Sequence, residues 1–489
     1  MIQGTGSDVG KSLIVAALCR IARRRGVVVA PFKPQNMSNN AAACEGGEIG
    51  RAQALQARAA GLEPEVDFNP ILLKPESDRK AQVVVQGQVA DSLSAADYMA
   101  SREARMHAVL ESFTRLADAY ELVVVEGAGS PAEVNLRAGD IANMGFARRA
   151  GVPVCLAGDI DKGGVIASLV GTQAVLDRED AALIRGFFIN KFRGDPRLFD
   201  EGIAAIEART GWRSFGVIPW LACAAQLPAE DAVVLDRQRI NAGEGLKIVA
   251  PMLSRMANFD DADPLRMEPG VDFRWVPPGR PLPRDADAVI LFGTKSTLGE
   301  LAVLRAQGWE HDILAHARAG GRVLGLCGGF QMLGRTIDDA HGTDGPAGRA
   351  PGLGLLDVQT EMSAAKAVQT VRGRCARTGM PVAGYEIHVG RTTGPDCARP
   401  MFDLEGRNDG ARSADGRVEG SYLHGMFTHD GFRRAWLRQA GAATTSTLNY
   451  DAAVETALDA LADGVEQALD IDALLACAAP PLANPSDAA

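Results

Sequence analysis

A glycine-rich stretch near the start of the chain constrains the fold more than any other feature. It reads Gly4-Thr5-Gly6-Ser7-Asp8-Val9-Gly10-Lys11-Ser12, and an apolar pattern typical of a helix follows it from Leu13 to Arg23. Glycines allow a tight turn whose N–H groups point inward, and the positive end of the helix faces the same space. Lys11 adds an ammonium group, and Ser12 adds a hydroxyl suited to Mg²⁺. The alternative is an ordinary turn before a helix. We predict a nucleoside triphosphate site formed by Gly4, Thr5, Gly6, Gly10, Lys11 and Ser12.

A second stretch supplies a carboxylate for the same site. Four apolar residues, Leu122 to Val125, lie directly before Glu126 and predict a buried parallel strand. A carboxylate at the end of such a strand can hold Mg²⁺ opposite a phosphate loop. We predict that Ser12 and Glu126 bind the metal, with Glu48 as a further candidate on a helix predicted over residues 48–56.

Other predicted strands also end in polar residues. Lys33 and Asn36 follow one strand, and Asp161 and Lys162 follow another. Such residues face the ligand crevice of a parallel α/β sheet, although surface or turn chemistry is an equally good interpretation for each of them. Because strands alternate with helices up to about Trp220, we predict one doubly wound parallel sheet.

Bulk properties exclude several classes of protein. The 489 residues are too many for one core, so two or three domains are expected. A net charge of −10 argues against non-specific binding to nucleic acid or to anionic membranes, and no apolar run approaches a membrane span. The eight cysteines form no C-x-x-C pair, so we expect neither a disulfide framework nor a metal cluster. This usage fits a reduced, cytoplasmic setting.

The second half contains a predicted nucleophile. The segment Gly325-Leu326-Cys327-Gly328-Gly329 joins an apolar strand to a helical pattern, which is typical of a nucleophile elbow. The helix behind the turn would stabilise a thiolate. His424, in Tyr422-Leu423-His424-Gly425, is the natural general base. A buried structural cysteine is the alternative.

These motifs together resemble one family. The elbow followed by Tyr-Leu-His-Gly, and the tract over residues 384–392, resemble the type 1 glutamine amidotransferase domain in its cobalamin-pathway form. The phosphate loop resembles the variant loop of dethiobiotin synthetase and of the cobyrinate and cobyric acid amide synthases. From about residue 3 to about residue 440 the chain is similar to the cobyric acid synthase family. The resemblance implies an α/β protein in which a P-loop domain with a doubly wound parallel sheet precedes a glutamine amidotransferase α/β domain.

The resemblance also implies roles for further residues. Gly293 and Gly328 would supply backbone donors to the oxyanion, and Gln331 would contact glutamine. Tyr385 and His388 would lie in a substrate region. His388 could compete with His424 as the base, but its place beside a strand favours substrate positioning. Ordinary type 1 domains carry a glutamate two residues after the histidine, where this chain has Met426. Glu419 and Glu386 are the candidates for the missing acid.

The function implied by the resemblance is the ATP- and Mg²⁺-dependent amidation of a corrinoid with ammonia from L-glutamine. The acceptor would be adenosylcobyrinic acid a,c-diamide, whose b, d, e and g carboxylates are converted to amides. Cobyrinic acid a,c-diamide synthase, or a related amide ligase, is the first alternative. A ParA-like ATPase switch with a degenerate hydrolase appendage is the second, and it predicts no glutaminase activity.

We predict three regions: a synthetase domain over residues 1–235, an amidotransferase domain over 246–440, and an extension over 441–489. Apolar residues at helical spacing between Tyr450 and Leu474 predict one or two helices, expected to dock on the amidotransferase domain. Residues 478–489, with three prolines, predict a disordered tail.

Overall fold

The computed structural model describes residues 1–76, 80–94, 102–228, 245–363, 365–443 and 446–482. Two α/β units follow each other in the chain, each built on a largely parallel sheet. The predicted fold class is confirmed. The predicted boundary between residues 235 and 246 lies almost wholly outside the described residues, which end at 228 and resume at 245.

The first unit contains twelve described strands and seven described α-helices. The strands are β1 (Ile2–Gly4), β2 (Val29–Phe32), β3 (Gln35–Met37), β4 (Ala41–Cys44), β5 (Gly47–Gly50), β6 (Ile71–Pro75), β7 (Lys80–Val85), β8 (Gln88–Ser94), β9 (Leu122–Val125), β10 (Val154–Asp159), β11 (Ile184–Phe192) and β12 (Arg213–Pro219). The helices are α1 (Lys11–Arg24), α2 (Arg51–Ala60), α3 (Arg102–Ala119), α4 (Met144–Ala150), α5 (Val165–Val175), α6 (Arg178–Leu183) and α7 (Asp200–Thr210).

The central sheet of this unit brings the predicted nucleotide residues to one edge. β1, β10, β11 and β12 pair in that order, all parallel. β2 pairs with β9, and a parallel bridge between Ile2 and Glu126 joins β9 to β1. The carboxyl ends of β1 and β9 therefore lie side by side, which places the glycine-rich loop beside Glu126.

One predicted helix begins later than expected. Residues Gly47–Gly50 form strand β5, paired antiparallel with β4, and the helix starts only at Arg51. The hairpin needs a glycine at position 47, because its φ is 149° and an added Cβ would lie 2.0 Å from the carbonyl oxygen of Gly87. Glu48 therefore projects from a strand, and the helix predicted over residues 48–56 was wrong at its start.

The second unit contains sixteen described strands. They are β13 (Leu246–Pro251), β14 (Met256–Ala257), β15 (Val271–Val276), β16 (Ala288–Leu291), β17 (Gly293–Thr294), β18 (Arg322–Leu326), β19 (Thr336–Asp339), β20 (Gly348–Pro351), β21 (Gln359–Glu361), β22 (Ala367–Cys375), β23 (Pro381–His388), β24 (Arg391–Thr393), β25 (Phe402–Leu404), β26 (Arg407–Asp409), β27 (Ala411–Arg412) and β28 (Val418–Ser421). Its helices are α8 (Asp263–Arg266), α9 (Thr297–Ala306), α10 (Trp309–Arg318), α11 (Gly328–Leu333) and α12 (Asp430–Gln439).

The main sheet of the second unit has the order β15-β13-β16-β18-β28-β27, and its pairs are parallel except for β27 with β28. The loops that leave β16, β18 and β28 carry Gly293, Cys327 and His424. Because β18 lies between β16 and β28, the three loops meet at the same edge of the sheet.

The last two helices, α13 (Tyr450–Ala468) and α14 (Ile471–Leu475), pack on the first unit rather than on the second. Val454, Leu458 and Val465 share a core cluster with residues of α1. Arg20 of α1 also pairs with Glu455 and Asp459, each at 2.7 Å. The predicted docking on the amidotransferase domain was wrong, since the apolar pattern showed that the helix has a buried face but not which surface receives it.

The segment predicted to be a disordered tail is hydrogen-bonded to the first unit near its start. The N–H of Leu482 donates to the carbonyl oxygen of Ala150 at 3.2 Å. Residues 483–489 lie outside the described part of the chain. None of the described helices is long and apolar enough to cross a membrane.

Candidate active sites

The glycine-rich loop wraps around the Lys11 ammonium group. Lys11 Nζ donates to the carbonyl oxygens of Gly6, at 2.9 Å, and Gly129, at 3.2 Å. Gly10 has a φ of 96° and lies directly before α1, where an added Cβ would come within 2.5 Å of the Asn190 side chain. Gly4 is equally crowded, because an added Cβ would lie 2.5 Å from Val9. The loop thus has the tight turn, the helix end and the cation that phosphate binding requires.

Backbone contacts from neighbouring strands hold the loop in place. The N–H of Thr5 donates to the carbonyl oxygen of Ala157 at 3.0 Å, and Asn190 Nδ2 donates to that of Val9 at 2.8 Å. Lys191 donates to the carbonyl oxygen of Asp8 and pairs with Asp159 at 2.8 Å. The loop is therefore fixed by the carboxyl ends of β10 and β11.

Glu126 lies beside the start of α1. Its Oε1 atom accepts from Ser12 Oγ at 2.7 Å and from Lys33 Nζ at 2.8 Å, and its Oε2 atom accepts from Gln56 Nε2 at 2.6 Å. Glu126 is 1% exposed, so this carboxylate depends on these partners rather than on water. The structure thus brings together Lys11 and Ser12 at the start of α1 with Lys33 and Glu126, which follow β2 and β9.

These residues fit a bound Mg²⁺. The Ser12 hydroxyl and the Glu126 carboxylate offer hard oxygen ligands, and Ser12 Oγ lies 2.7 Å from Glu126 Oε1. The buried Oε1 atom of Gln56 has no hydrogen-bond partner within the described residues. Mg²⁺ commonly takes one or two protein oxygens and completes its coordination with phosphate oxygens and water. Within the described residues no cluster of three or more His, Cys, Asp or Glu side chains could hold a metal ion.

Glu48 does not join this pair. Its two carboxylate oxygens are bound by Lys74, at 2.8 Å, and by Lys366 of the second unit. Burial would raise the pKa of Glu48, but the two ammonium groups outweigh it and lower the pKa to about 2. The carboxylate is thus ionised and both of its oxygens are bound by lysines, although burial and Lys74 lower the pKa of Lys366 to about 7, so the assignment of Glu48 as a metal ligand is not supported by its surroundings.

The other predicted crevice residues have different surroundings. Asn36 is buried and donates to Gln53 Oε1 at 3.0 Å. Asp161 accepts from Arg193 Nε at 2.8 Å at the surface, and Lys162 Nζ donates to the carbonyl oxygen of Ser7 at 3.0 Å. Lys162 therefore touches the glycine-rich loop, whereas Asp161 belongs to an exposed ion pair.

The elbow around Cys327 has the predicted shape. Strand β18 ends at Leu326, α11 begins at Gly328, and Cys327 between them has φ 52° and ψ −112°. A non-glycine residue in this region is strained, and such strain is typical of a nucleophile held on a sharp turn. The thiol lies 3.6 Å from the carbonyl oxygen of Ile387 and within hydrogen-bonding reach of His424.

His424 is oriented by a residue that the sequence analysis missed. Asp261 Oδ2 lies 2.7 Å from His424 Nδ1, and the N–H of Gly425 donates to Asp261 Oδ1 at 2.6 Å. The two predicted substitutes for the missing acid are bound elsewhere: Glu419 by Arg377, and Glu386 by Arg407. Neither prediction for the acid was correct. The geometry is that of a Cys–His–Asp triad, with Asp261 holding the ring that faces the thiol.

This arrangement favours a charged imidazole. Burial alone would lower the pKa of His424, but the Asp261 carboxylate and the Cys327 thiol raise it to about 10. His388, the competing base, stacks on Tyr422 at 3.8 Å, and burial lowers its pKa to about 4. His424 is therefore the stronger proton acceptor, and His388 is a neutral ring beside the site.

The predicted oxyanion loop lies against both catalytic candidates. A Cβ added to Gly293 would lie 3.3 Å from His424 Cε1 and 3.5 Å from Cys327 Cβ. A Cβ added to Gly328 would lie 3.0 Å from the backbone nitrogen of Thr294. A side chain at either position would crowd these neighbours. Gly328 is also the first residue of α11, so its N–H has no intrahelical acceptor and can donate to an oxyanion.

Gln331 and Tyr385 support the site. Gln331 Nε2 donates to the carbonyl oxygen of Val389, at 2.9 Å, and to the Tyr422 hydroxyl, at 3.2 Å, and it is 2% exposed. The Tyr385 ring stacks on the His424 ring, with centroids 5.3 Å apart. A small cavity beside Cys327 is lined by Gln331 and His388 and also by Lys74 of the first unit. The site thus opens towards the boundary between the two units.

Known proteins match both units. The first matches the model of the CobQ/CobB/MinD/ParA nucleotide binding domain over residues 1–234. The second matches the model of the CobB/CobQ-like glutamine amidotransferase domain over residues 247–432. A PurLQS structure from Thermotoga maritima is 17% identical, with a TM-score of 0.30, over 44% of this chain and 97% of that chain. That likeness is too distant to bear on function.

Full-length relatives are much closer. Cobyric acid synthase of Hyphomonas neptunium is 65% identical over 98% of this chain and 97% of its own length. The enzymes of that name from Cereibacter sphaeroides (strain ATCC 17023) and Paracoccus denitrificans are 65% and 64% identical, each over 98% of this chain and 99% of their own length.

A nucleotide-binding domain joined to a Cys–His–Asp amidotransferase domain defines a glutamine-hydrolysing carbon–nitrogen ligase. The full-length relatives identify one family within this class of ligases, since they match almost the whole chain. The chain belongs to the cobyric acid synthase family.

Proposed function

We propose that this protein uses ATP and L-glutamine to amidate the b, d, e and g carboxylates of adenosylcobyrinic acid a,c-diamide, giving cobyric acid. The observation that carries the proposal is the presence of both halves of the reaction in one chain. A phosphate loop with Ser12 and Glu126 lies in one unit, and Cys327 with His424 and Asp261 lies in the other. The corrinoid acceptor is inferred from the names of the relatives.

In the amidotransferase domain, Cys327 acts as the nucleophile. The imidazole of His424 takes the thiol proton and holds it while the thiolate attacks, because its pKa is raised to about 10. The thiolate attacks the side-chain amide carbon of glutamine, and N–H groups near Gly293 and Gly328 stabilise the oxyanion. When the C–N bond breaks, His424 passes the proton to the leaving nitrogen and ammonia departs. Water then hydrolyses the glutamyl thioester.

In the nucleotide-binding domain, Lys11 and the loop N–H groups hold the ATP phosphates. Ser12 and Glu126 would hold Mg²⁺, which screens phosphate charge when bound. A substrate carboxylate takes the γ-phosphoryl group, because an unactivated carboxylate has no good leaving group. Ammonia then displaces phosphate and forms the amide. Lys33 and Lys162, beside the loop, are suited to guide the anionic substrate.

Two further features support the assignment. All eight cysteines are free thiols, which fits a reducing, cytoplasmic setting. The Lys74–Glu48–Lys366 cluster places cations from both units beside the cavity at Cys327, where they suit a carboxylate-bearing substrate such as glutamine.

The test is an amidation assay on the a,c-diamide with wild-type protein, Cys327→Ala and Cys375→Ala. Cys375 is a buried thiol in the core and serves as the matched control. We expect Cys327→Ala to lose glutamine-dependent turnover and to keep turnover with free ammonia, while Cys375→Ala keeps both. A protein that amidates only the a and c positions, when cobyrinic acid is supplied in place of the a,c-diamide, would instead belong to the diamide synthases. Absence of ATP consumption with corrinoid, Mg²⁺ and ammonia would refute the proposal.

A further inference from the structure

Arg51, the first residue of α2, reaches from the nucleotide-binding domain into the amidotransferase domain. Its Nε atom lies 2.7 Å from Asp260 Oδ2, and the side chains are 24% and 4% exposed. Because this ion pair is largely removed from water, the loss of Arg51 would leave a buried carboxylate without its cation.

Asp260 is the neighbour of the residue that orients His424. Asp261 contacts the imidazole and the N–H of Gly425, so two adjacent buried carboxylates lie beside the base. Burial raises the pKa of Asp260, and Asp261 raises it further, whereas Arg51 lowers it. Arg51 thus supplies a positive charge that offsets part of the cost of placing a second carboxylate beside Asp261.

Arg51 also lies near Tyr385, which packs on the other face of the base. Its guanidinium carbon is 5.8 Å from the centroid of the Tyr385 ring, which stacks on His424. The backbones of Tyr385 and His424 exchange two hydrogen bonds, at 2.9 and 3.1 Å. One guanidinium group therefore lies against Tyr385 and against Asp260, the neighbour of the residue that binds the imidazole.

Backbone contacts fix the position of Arg51 against the Asp260 loop. The N–H of Arg51 donates to the carbonyl oxygen of Asn40 at 3.1 Å, and Asn40 Oδ1 accepts from the N–H of Asn258 at 2.7 Å. Asn258 Oδ1 in turn accepts from the N–H of Ala41 at 3.1 Å. These hydrogen bonds thus fix the start of α2 against the loop before Asp260.

The same helix contacts the nucleotide site. Gln53 and Gln56 donate to Glu126 Oε2, at 3.4 and 2.6 Å. At most about one and a half helical turns separate these glutamines from Arg51. Helix α2 therefore contacts the residues around the general base of one domain and the strand-end carboxylate of the other.

We propose that Arg51 is a positioning residue for glutamine hydrolysis, supplied by the nucleotide-binding domain: it holds Asp261, through Asp260, and Tyr385 in the places from which they orient His424. The inference rests on the proposed function, since it assumes that the Cys327 site hydrolyses glutamine. Arg51 acts on the base through other residues, so its replacement should lower kcat for glutamine while leaving KM nearly unchanged.

The test compares wild-type protein with Arg51→Met, Arg51→Lys and Arg58→Met. Arg58 is the matched control because it lies on the same helix and pairs with Glu455 and Asp451 instead. We expect Arg51→Met to lower kcat for glutamine hydrolysis by about ten- to a hundredfold, with KM within about threefold and ammonia-dependent amidation within about twofold. Arg51→Lys should recover part of the rate, and Arg58→Met should match the wild type.

Three results would overturn the inference. The first is an unchanged kcat for glutamine in Arg51→Met, and the second is an equal loss in Arg58→Met. The third is a parallel loss of glutamine- and ammonia-dependent turnover in Arg51→Met and Arg51→Lys, which would indicate a general structural role. Failure of the proposed function itself has a different signature, because the wild-type protein would then hydrolyse no glutamine.

Discussion

Asp261 Oδ2 lies 2.7 Å from His424 Nδ1, although the two residues are 163 positions apart in the chain. The carboxylate approaches from the loop after β14, whereas a type 1 triad usually takes its acid from two residues beyond the histidine. Met426 occupies that second position here and is fully buried. In this chain a different part of the fold supplies the acid, and this acid binds the histidine at Nδ1.

Replacing Asp261 by asparagine should slow glutamine hydrolysis severely. The amide keeps the size of the side chain but removes the charge that stabilises the imidazolium, so we expect kcat to fall by about 10²- to 10⁴-fold. Ammonia-dependent amidation should persist. Glu419→Gln is the control, because Glu419 pairs with Arg377 instead. A larger loss in Glu419→Gln than in Asp261→Asn would show that Glu419 is the orienting acid.

The charge on His424 predicts how stability depends on pH. Its pKa is raised from 6.5 to about 10, so folding favours the protonated ring. The resulting stabilisation is fully present below pH 6.5 and is lost as the pH rises through about 10. We expect the Tm difference between the wild type and His424→Asn to shrink over this range, as measured by scanning calorimetry. A constant difference would contradict the assigned ion pair.

Glu48 and Glu126 should respond differently to removal of charge. Glu126→Gln is expected to raise the Mg²⁺ concentration needed for half-maximal ATP turnover, since its carboxylate lies beside Ser12. Glu48→Gln leaves Lys74 and Lys366 without their shared anion, so it should lower the free energy of unfolding by about 3–5 kcal/mol. Denaturation and Mg²⁺ titration of both variants separate the two roles. A shifted Mg²⁺ requirement in Glu48→Gln alone would restore Glu48 as the metal ligand.

The contact between α13 and α1 should stabilise the nucleotide-binding domain. Leu458 is fully buried in the core cluster shared by the two helices. Leu458→Ala leaves a cavity and should lower the free energy of unfolding by about 2–5 kcal/mol. The amides of α1 should therefore exchange hydrogen at least about tenfold faster. Leu198→Ala is the control, because Leu198 is 82% exposed. Unchanged exchange in Leu458→Ala would mean that α13 contributes little to this core.

The local motifs were predictable from the sequence, and the residues that complete them were not. The glycine-rich loop and the Cys327 elbow are each contained in about ten consecutive residues, so their residue types and spacing determine the local backbone. Asp261 belongs to an acidic run, Asp260-Asp261-Ala262-Asp263, which has the composition of a solvated turn. Its position beside His424 depends on contacts with distant segments, among them the pairing of β14 with β17.

The predictions that the structure does not support have a related cause. Glu48 was a plausible metal ligand by residue type, but Lys74 and Lys366 reach it from segments far away in the chain. The docking surface of α13 was equally hidden, because an apolar stripe does not identify its partner. A clue was present in the charges: acidic residues on α13 face Arg20, Arg24 and Arg25 of the first unit.

The packing of α13 on α1 has a consequence for biosynthesis. The surface of α1 that faces α13 is covered only after residues 450–468 have been translated, with the whole amidotransferase domain made in between. Until then this surface is open to water or to chaperones. Completion of the nucleotide-binding core, and with it full ATP affinity, should therefore wait until α13 has been made.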